Sequence, residues 1–160
     1  MAVSICIKIG KIQGESAIKG HEGEIDVLSW NWGLTQSASA HVGSGAGSGS
    51  ADVKDLRITK YVDKASPILL QECFKGSDQT TAVLTVIKVG GKAPVEFVKI
   101  TMDGTVFLSS VSTGDPLPND RYTETVTLNF SHVKFEYTTQ NADQSKGASV
   151  AGELHISQQS

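Results

Sequence analysis

The chain has 160 residues, with 14 Lys and Arg against 17 Asp and Glu, so its formal net charge is -3. This length predicts one domain covering residues 1–160, and the weakly acidic balance offers no basic field for nucleic acid or anionic lipid. Its two cysteines, Cys6 and Cys73, are too few and too far apart for a disulfide framework or a zinc knuckle, and we expect both to be buried thiols.

The N-terminal segment predicts a strand, because apolar and polar residues alternate from Val3 to Ile9 and Gly10 follows. Lys8 interrupts the apolar run that a secretion signal peptide requires. No later stretch reaches the roughly 18 to 20 apolar residues of a membrane helix. We therefore expect a soluble chain made in the cytoplasm, which would leave the cell folded and only through a dedicated export machine.

The segment 23–34 alternates with period 2 but changes phase part-way. Up to Val27 the apolar residues occupy odd positions, whereas from Leu28 to Leu34 they occupy even positions. An alternation of this kind is typical of a strand with one dry face. The change of phase predicts a β-bulge or a switch of sheet near Val27.

Both tryptophans of the chain, Trp30 and Trp32, fall on the apolar parity of this strand. We expect them to anchor the core, since indole rings bury a large apolar area. Asn31 lies between them on the opposite parity. Its side chain is therefore expected to face water, a ligand or the lumen of an assembly.

Residues 37–51 consist almost entirely of Ser, Ala and Gly, a composition that buries too little apolar surface to order itself. Because this loop interrupts a β domain instead of joining two domains, we interpret it as an interaction arm. The residues assigned to contacts of this arm are His41, Val42, Gly43, Ser44, Gly45, Gly47 and Gly49.

A strand is predicted over 52–62, and the one convincing helix follows at 66–75. Ser66 suits the N-cap, Pro67 the first helical position and Gly76 the C′ position. A helix this short requires tertiary packing, so its apolar stripe is expected to lie on the sheet. That stripe consists of Leu69, Leu70, Cys73 and Phe74.

The second half of the chain predicts strands joined by short turns. Hairpins are expected at Gly90-Gly91 and Asp103-Gly104, a loop at 113–120, and a bend or bulge at Ser131-His132 where the apolar phase slips. The predicted strands cover 82–89, 95–102, 106–111, 122–139 and 148–156. The predicted class is mainly β: a two-sheet antiparallel barrel or sandwich with one short lateral α-helix.

Catalytic and metal signatures are weak. His21 to Asp26 brings an imidazole near carboxylates, so a small hydrolase or metal site there remains an alternative, but no second histidine has ligand spacing. The glycines of 43–49 lack the Gly-Lys-Ser/Thr ending of a phosphate loop. We therefore expect no enzyme activity, no catalytic residue, no metal and no cofactor.

Several motifs resemble the hemolysin-coregulated protein (Hcp) family, the tube subunit of bacterial type VI secretion systems. The resemblance covers nearly the whole chain and keeps the family's order. The segments that carry it are Ile7–Gly10, Gly14–Ser16, Glu24–Gly33, the Gly/Ser loop, Thr59–Pro67, Val111–Gly114 and Arg121–Phe130.

The resemblance implies a phage tail-tube-like barrel that forms a homohexameric ring with a wide pore. Rings of the family stack into the inner tube that a contractile sheath and a VgrG spike accompany, and small effectors are carried in the lumen. It also implies that the protein is secreted with the tube, without a cleavable signal peptide. Asn31 matches the lumen-facing position of the family, and the Gly/Ser loop matches its ring-stacking loop.

The chain departs from commoner members at two places: prolines occur in the loop 114–120, where glycines are usual, and Asn31 stands where serine is frequent. These differences concern ring-to-ring contacts and cargo preference. The alternative function is a monomeric carbohydrate-binding β-sandwich, which would require exposed aromatic side chains.

Overall fold

The structure of the protein is a computed structural model that describes residues 2–41, 49–90 and 93–156. Within these ranges it contains ten strands and one α-helix. The strands are β1 (Ala2–Ile9), β2 (Ile25–Val27), β3 (Ser29–Asn31), β4 (Leu34–Gln36), β5 (Ala51–Val53), β6 (Leu56–Tyr61), β7 (Ala82–Val89), β8 (Val95–Pro116), β9 (Tyr122–Gln140) and β10 (Lys146–His155). The helix α1 is Ser66–Lys75.

Eight of the strands form one antiparallel sheet in the order β2-β1-β7-β8-β9-β6-β3, with β10 paired to β9. The strands at the two ends of this order, β2 and β3, are consecutive in the chain and are separated only by Leu28. The Leu28 amide donates to the Thr59 carbonyl at 2.7 Å, on the strand next to β3. The sheet therefore curls until its two ends meet, which confirms the predicted barrel-like, mainly β class.

The change of phase near Val27 has a simple structural cause. Before Leu28 the chain pairs with β1, where Val27 lies opposite Ile5. After Leu28 it pairs with β6, where Trp30 lies opposite Ile58. The chain therefore changes its pairing partner near Val27, but it neither switches sheet nor forms a β-bulge as predicted, because β1 and β6 belong to the same curled sheet.

Apolar side chains fill the inside of the curled sheet. On β6, on β8 from Val98 to Met102 and on β9 from Val126 to Phe130, every second residue is buried, as expected for strands with one face on the core. Among the fully buried members are Ile7, Ile25, Leu56, Ile58, Leu84, Ile100, Met102, Val106, Val126 and Leu128. Helix α1 closes one side of this core through Leu69, which is also fully buried.

One predicted hairpin is wrong. Asp103-Gly104 does not turn the chain, because β8 continues through it and pairs with β9 on both sides. Gly104 has a φ of +74°, and the Thr105 amide donates to the Ser131 hydroxyl at 2.9 Å. The extra residues form a β-bulge opposite Ser131, so the predicted irregularity near Ser131-His132 exists but is carried by β8.

Other boundaries also differ from the prediction. Strand β8 extends to Pro116, so the predicted loop at 113–120 is shortened to the turn before Tyr122. The predicted strand 52–62 is divided at Lys54, because its first part, β5, pairs with β4 and its second part, β6, pairs with β3 and β9. Strands β4 and β5 form a separate two-stranded ribbon. Strand β4 precedes the Gly/Ser loop and β5 follows it.

Helix α1 has the predicted bounds and the predicted C-terminal glycine, but not the predicted Ser66 N-cap, and its apolar stripe is only partly buried. Ala65 is the N-cap and makes no side-chain capping bond, while Gly76 ends the helix in the left-handed conformation with a φ of +66°. Phe74 is 93% exposed and Leu70 is 43% exposed, so the apolar stripe does not lie wholly on the sheet. Among the residues that the structure describes, no helix is long and apolar enough to cross a membrane.

Gly14 is a position where the fold excludes any side chain. A Cβ there would lie 2.4 Å from the Glu24 carbonyl oxygen and 2.7 Å from the Ile25 Cα, and both atoms belong to the backbone leading into β2. We expect Gly14→Ala to lower the free energy of unfolding by about 1–3 kcal/mol, the usual cost of overpacking. The measurement is urea unfolding followed by tryptophan fluorescence.

The matched control is Gly152→Ala in β10, where an added Cβ meets no atom within 4 Å. This variant is expected to unfold close to the wild-type midpoint. Equal midpoints for the two variants would contradict the steric account of Gly14.

Candidate functional site: the polar face around Asn31

The outward side of four adjacent strands, β3, β6, β9 and β8, carries two cross-strand rows of polar residues. One row runs from Asn31 through Arg57 and Thr127 to Ser110, and the other is parallel to it. We name this surface the polar face. Its residues are Ser29, Asn31, Arg57, Thr59, Ser110, Ser112, Thr125 and Thr127.

Hydroxyl and amide groups dominate the polar face, and Arg57 is its only charged member. Asn31 and Arg57 are exposed and lie directly opposite each other on β3 and β6. A shallow groove of about 260 Å³ lies at this corner and is lined in part by Trp30 and Thr125. The surface offers hydrogen bonds without a strong field, so it suits weak and reversible contacts with a polypeptide.

One end of the polar face is ordered by hydrogen bonds among its neighbours. The Ser110 and Thr127 hydroxyls lie 2.7 Å apart. Asp55 accepts from the Ser109 hydroxyl at 2.5 Å and from the Asn129 amide at 2.9 Å. These contacts hold the outward side chains of β8 and β9 to the start of β6.

The two tryptophans lie behind the polar face, at the edge of the core. Both are half-buried, and the Trp32 ring contacts Phe130 and Phe135 with centroid distances of 6.1 Å and 6.5 Å. The Trp32 indole N–H donates to the Lys54 carbonyl at 2.9 Å. The aromatic contacts thus fix the strand that carries Asn31.

The dry face predicted for this strand is shorter than expected. Leu28 and Leu34 share the parity of the tryptophans but are 43% and 47% exposed. Leu28 lies at the crossing between the ends of the sheet, and Leu34 already belongs to the ribbon of β4 and β5. The alternation of apolar and polar residues in the sequence is therefore longer than β3, the strand to which it corresponds.

The arm is described only at its base. His41 is exposed, and Gly49 lies against the opposite side of the ribbon, where a Cβ would come 2.1 Å from the Ala38 nitrogen. The Ser37 amide donates to the Ser50 carbonyl at 3.1 Å and continues the ladder of β4 and β5. The remaining predicted contact residues of the arm lie outside the described residues: Val42, Gly43, Ser44, Gly45 and Gly47.

Beneath the polar face lies a buried charge cluster, the ion pair of Lys60 with Glu124. Both side chains are fully buried. Glu124 also accepts from Ser66 at 2.7 Å and from Thr113 at 2.8 Å, and Lys60 donates to Asp63 at 2.9 Å. Burial favours the neutral acid, but these hydrogen bonds outweigh it and lower the pKa of Glu124.

His21 is held between two carboxylates, and the buried Cys6 sulfur lies within 4.8 Å of one of its ring nitrogens. Its Nδ1 lies 2.9 Å from Glu24 and its Nε2 2.5 Å from Glu96, so the loop before β2 is tied to β8. Burial opposes protonation, but the two hydrogen bonds outweigh it and raise the pKa of His21. Asp26 is exposed on β2 and makes no hydrogen bond to His21 among the described contacts.

The cysteines differ from each other. Cys6 is fully buried and close to Glu24, and burial together with that carboxylate raises the pKa of its thiol. Cys73 is half-buried on α1, so the expectation of two buried thiols is correct only for Cys6.

The family described as type VI secretion system effector, Hcp, matches residues 6–137 of this chain. The chain belongs to the Hcp family. The Hcp fold predicted from the sequence motifs is therefore confirmed. The curated relative "Protein hcp1" of Pseudomonas aeruginosa is 49% identical over 146 residues, which cover 91% of this chain and 90% of that protein.

Solved Hcp structures agree with this membership. Hcp1 from Salmonella typhimurium is 34% identical, covers 98% of this chain and 97% of its own, and superposes with a TM-score of 0.79. A structure titled as a type six secretion system protein reaches a TM-score of 0.87 at 27% identity, over 99% of this chain and 100% of that one. The chain is thus a type VI secretion protein of the Hcp family.

The sequence predicted the outward position of Asn31, which is exposed, but missed the polar face as a whole. The signal was present, because Thr125 and Thr127 alternate with buried Val126 and Leu128 in the sequence. What the sequence does not contain is the register that places these threonines beside Arg57 and Asn31. The ion pair of Lys60 and Glu124 was missed for the same reason, since 64 positions separate its members.

Proposed function

We propose that this Hcp protein acts, as one domain, as the structural subunit of a type VI secretion tube. Six copies close into a ring around an open pore, rings stack, and effectors travel in the lumen. The tube is built in the cytoplasm and secreted through the type VI system, together with a VgrG spike and driven by a contractile sheath. The proposal assigns the chain no catalytic step.

The observation that carries the proposal is the polar face. A curved sheet surface with hydroxyls, one amide and a single guanidinium is suited to line a wet channel, because it exposes no large apolar patch to solvent. Asn31 is exposed at a corner of this surface, at the β3 end of one polar row. We therefore propose that it faces the lumen and contacts cargo, while Trp30 and Trp32 anchor the strand from behind.

The ribbon of β4 and β5 supports ring stacking. Each of its strands has only three residues, and an isolated two-stranded hairpin is marginally stable in water. A neighbouring ring that packs on this ribbon would supply the missing contacts. We propose that the arm between Gln36 and Ala51, which includes His41 and Gly49, makes these contacts.

Ring closure is tested by measuring the mass of the purified protein in solution. The expected species has about 101 kDa, six times the 16.9 kDa of the chain. Light scattering coupled to gel filtration gives this mass, and electron microscopy of the same fraction should show annular particles. A solitary 16.9 kDa species with saturable sugar binding would contradict the proposal and favour the carbohydrate-binding alternative.

Cargo contact at Asn31 is tested by Asn31→Arg, which would place one extra positive charge per subunit in the pore. We expect the ring mass to be unchanged and the amount of effector that copurifies with the ring to fall. The matched control is Gln71→Arg, which adds the same charge at an exposed position of α1. Equal effector recovery with both variants would contradict the assignment of Asn31 to the lumen.

A further inference from the structure

A second group of titratable side chains lies away from the polar face, where β10 pairs with β9 next to the β8 bulge. His132 and His155 are directly opposite each other on the two strands, and their rings stack with a centroid distance of 4.3 Å. Glu153 lies two residues before His155 and contacts His132. The nitrogen and oxygen ligand atoms of these three residues all lie within 4.8 Å of one another.

We propose that His132, Glu153 and His155 form a binding site for a divalent transition metal such as Zn²⁺, which clips β10 to β9. Two imidazoles and one carboxylate are a common ligand set for zinc, and a water molecule would complete a tetrahedron. Nothing in the proposed tube function requires this site.

The spacing of two of the ligand atoms already suits zinc. His132 Nε2 lies 3.1 Å from Glu153 Oε1. Two ligands of one tetrahedral zinc ion, each bonded at 2.0–2.1 Å, are separated by roughly 3.3 Å. The pair therefore needs a movement of only a few tenths of an ångström, whereas His155 must turn its ring toward the same point.

The other nitrogen of His132 is held by Asp103, at the β8 bulge. A carboxylate on Nδ1 directs Nε2 toward the ion and increases its basicity, which is the usual arrangement behind a metal-binding histidine. His132 is only 18% exposed, so its ring is held by packing, while Glu153 at 53% and the exposed His155 leave the ion an entry path. The site is thus positioned on its inner side and open on its outer side.

The other group with metal-ligand geometry, Cys6 with His21 and Glu24, is less suitable. Its sulfur ligand is fully buried, and burial beside carboxylates disfavours the thiolate that zinc requires. His21 therefore serves as an internal control for nonspecific histidine binding.

The test uses the full chain, freed of metal with a chelator and titrated with ZnCl₂ in a calorimeter. We expect one ion per chain, a rise of Tm with added Zn²⁺, and absorption bands of tetrahedral Co²⁺ when cobalt replaces zinc. His155→Ala, on the exposed end strand, should abolish the bands and the Tm rise. Asp103→Asn should weaken zinc binding by about 10–100-fold while keeping one ion per chain.

His21→Gln is the control variant and should bind zinc as the wild type does. Zinc binding that survives in His155→Ala, or that disappears in His21→Gln and not in His155→Ala, would overturn the proposal. Circular dichroism of each metal-free variant checks that the fold is retained, and His155→Asn provides a second, smaller change at the same ligand.

Discussion

Glu124→Gln is expected to lower the free energy of unfolding by about 3 kcal/mol or more. The substitution keeps the shape of the side chain but removes the charge that pairs with fully buried Lys60. An ammonium group left inside the core with one remaining carboxylate, Asp63, loses much of what offset its desolvation. Urea unfolding at fixed protein concentration measures the loss.

Two further variants test whether the loss of stability comes from leaving a buried charge unpaired, and not from the loss of an ion pair in general. Replacing both partners, Lys60→Met with Glu124→Leu, should cost less than Glu124→Gln alone, since an apolar pair leaves no uncompensated charge. Asp52→Asn breaks a pair with Lys54 whose side chains are 65% and 56% exposed, and it should change stability little. A double variant with a lower free energy of unfolding than Glu124→Gln would contradict this explanation.

The same carboxylate makes stability depend on pH. The pKa of Glu124 is lowered in the folded protein, so the unfolded chain binds a proton at a higher pH than the folded chain does. Its contribution is present above the ordinary glutamate pKa of about 4.3 and is lost as the pH falls through the folded value. Urea midpoints measured from about pH 6 down to pH 3 should therefore fall less steeply in Glu124→Gln than in the wild type.

Trp32→Ala is expected to cost about 3 kcal/mol, near the lower end for removal of a large aromatic side chain, because the indole is half-buried. The loss combines the contacts with Phe130 and Phe135 and the hydrogen bond to the Lys54 carbonyl. Thermal unfolding followed by circular dichroism measures it without depending on the fluorescence of the removed residue.

Trp32→Phe is the control for Trp32→Ala. A phenyl ring keeps part of the aromatic contact, but it is smaller than the indole and lacks the N–H donor, so we expect a cost of about 1 kcal/mol. If both variants lose equal stability, the hydrogen bond and not the aromatic packing would hold this strand.

The sequence predicted those features that depend on neighbouring residues. The bounds of α1 follow from Pro67 and Gly76, and the crossing at Leu28 follows from a change of phase within a few residues. Features that depend on distant partners were wrong or missed. Asp103-Gly104 has the composition of a hairpin turn, but pairing with β9 on both sides makes it a bulge.

The same distinction applies to the candidate site. The parity that turns Asn31 away from the tryptophans is local, so the sequence sufficed to predict it. Phe74 shows the converse, since helical spacing placed it on the apolar stripe although it is 93% exposed. A pattern records which residues share a side of α1, but the width of the contact with the sheet depends on β8 and the core beneath it.

The crossing at Leu28 has a consequence for biosynthesis. Strand β3 finds its partner in β6, and β6 in turn pairs with β9, so that Tyr61 lies opposite Thr123. More than a third of the polypeptide separates these segments, and such non-local pairing makes folding slow. The early strands thus leave the ribosome before the segment that completes their sheet has been translated, and the sheet closes only once β9 has been made.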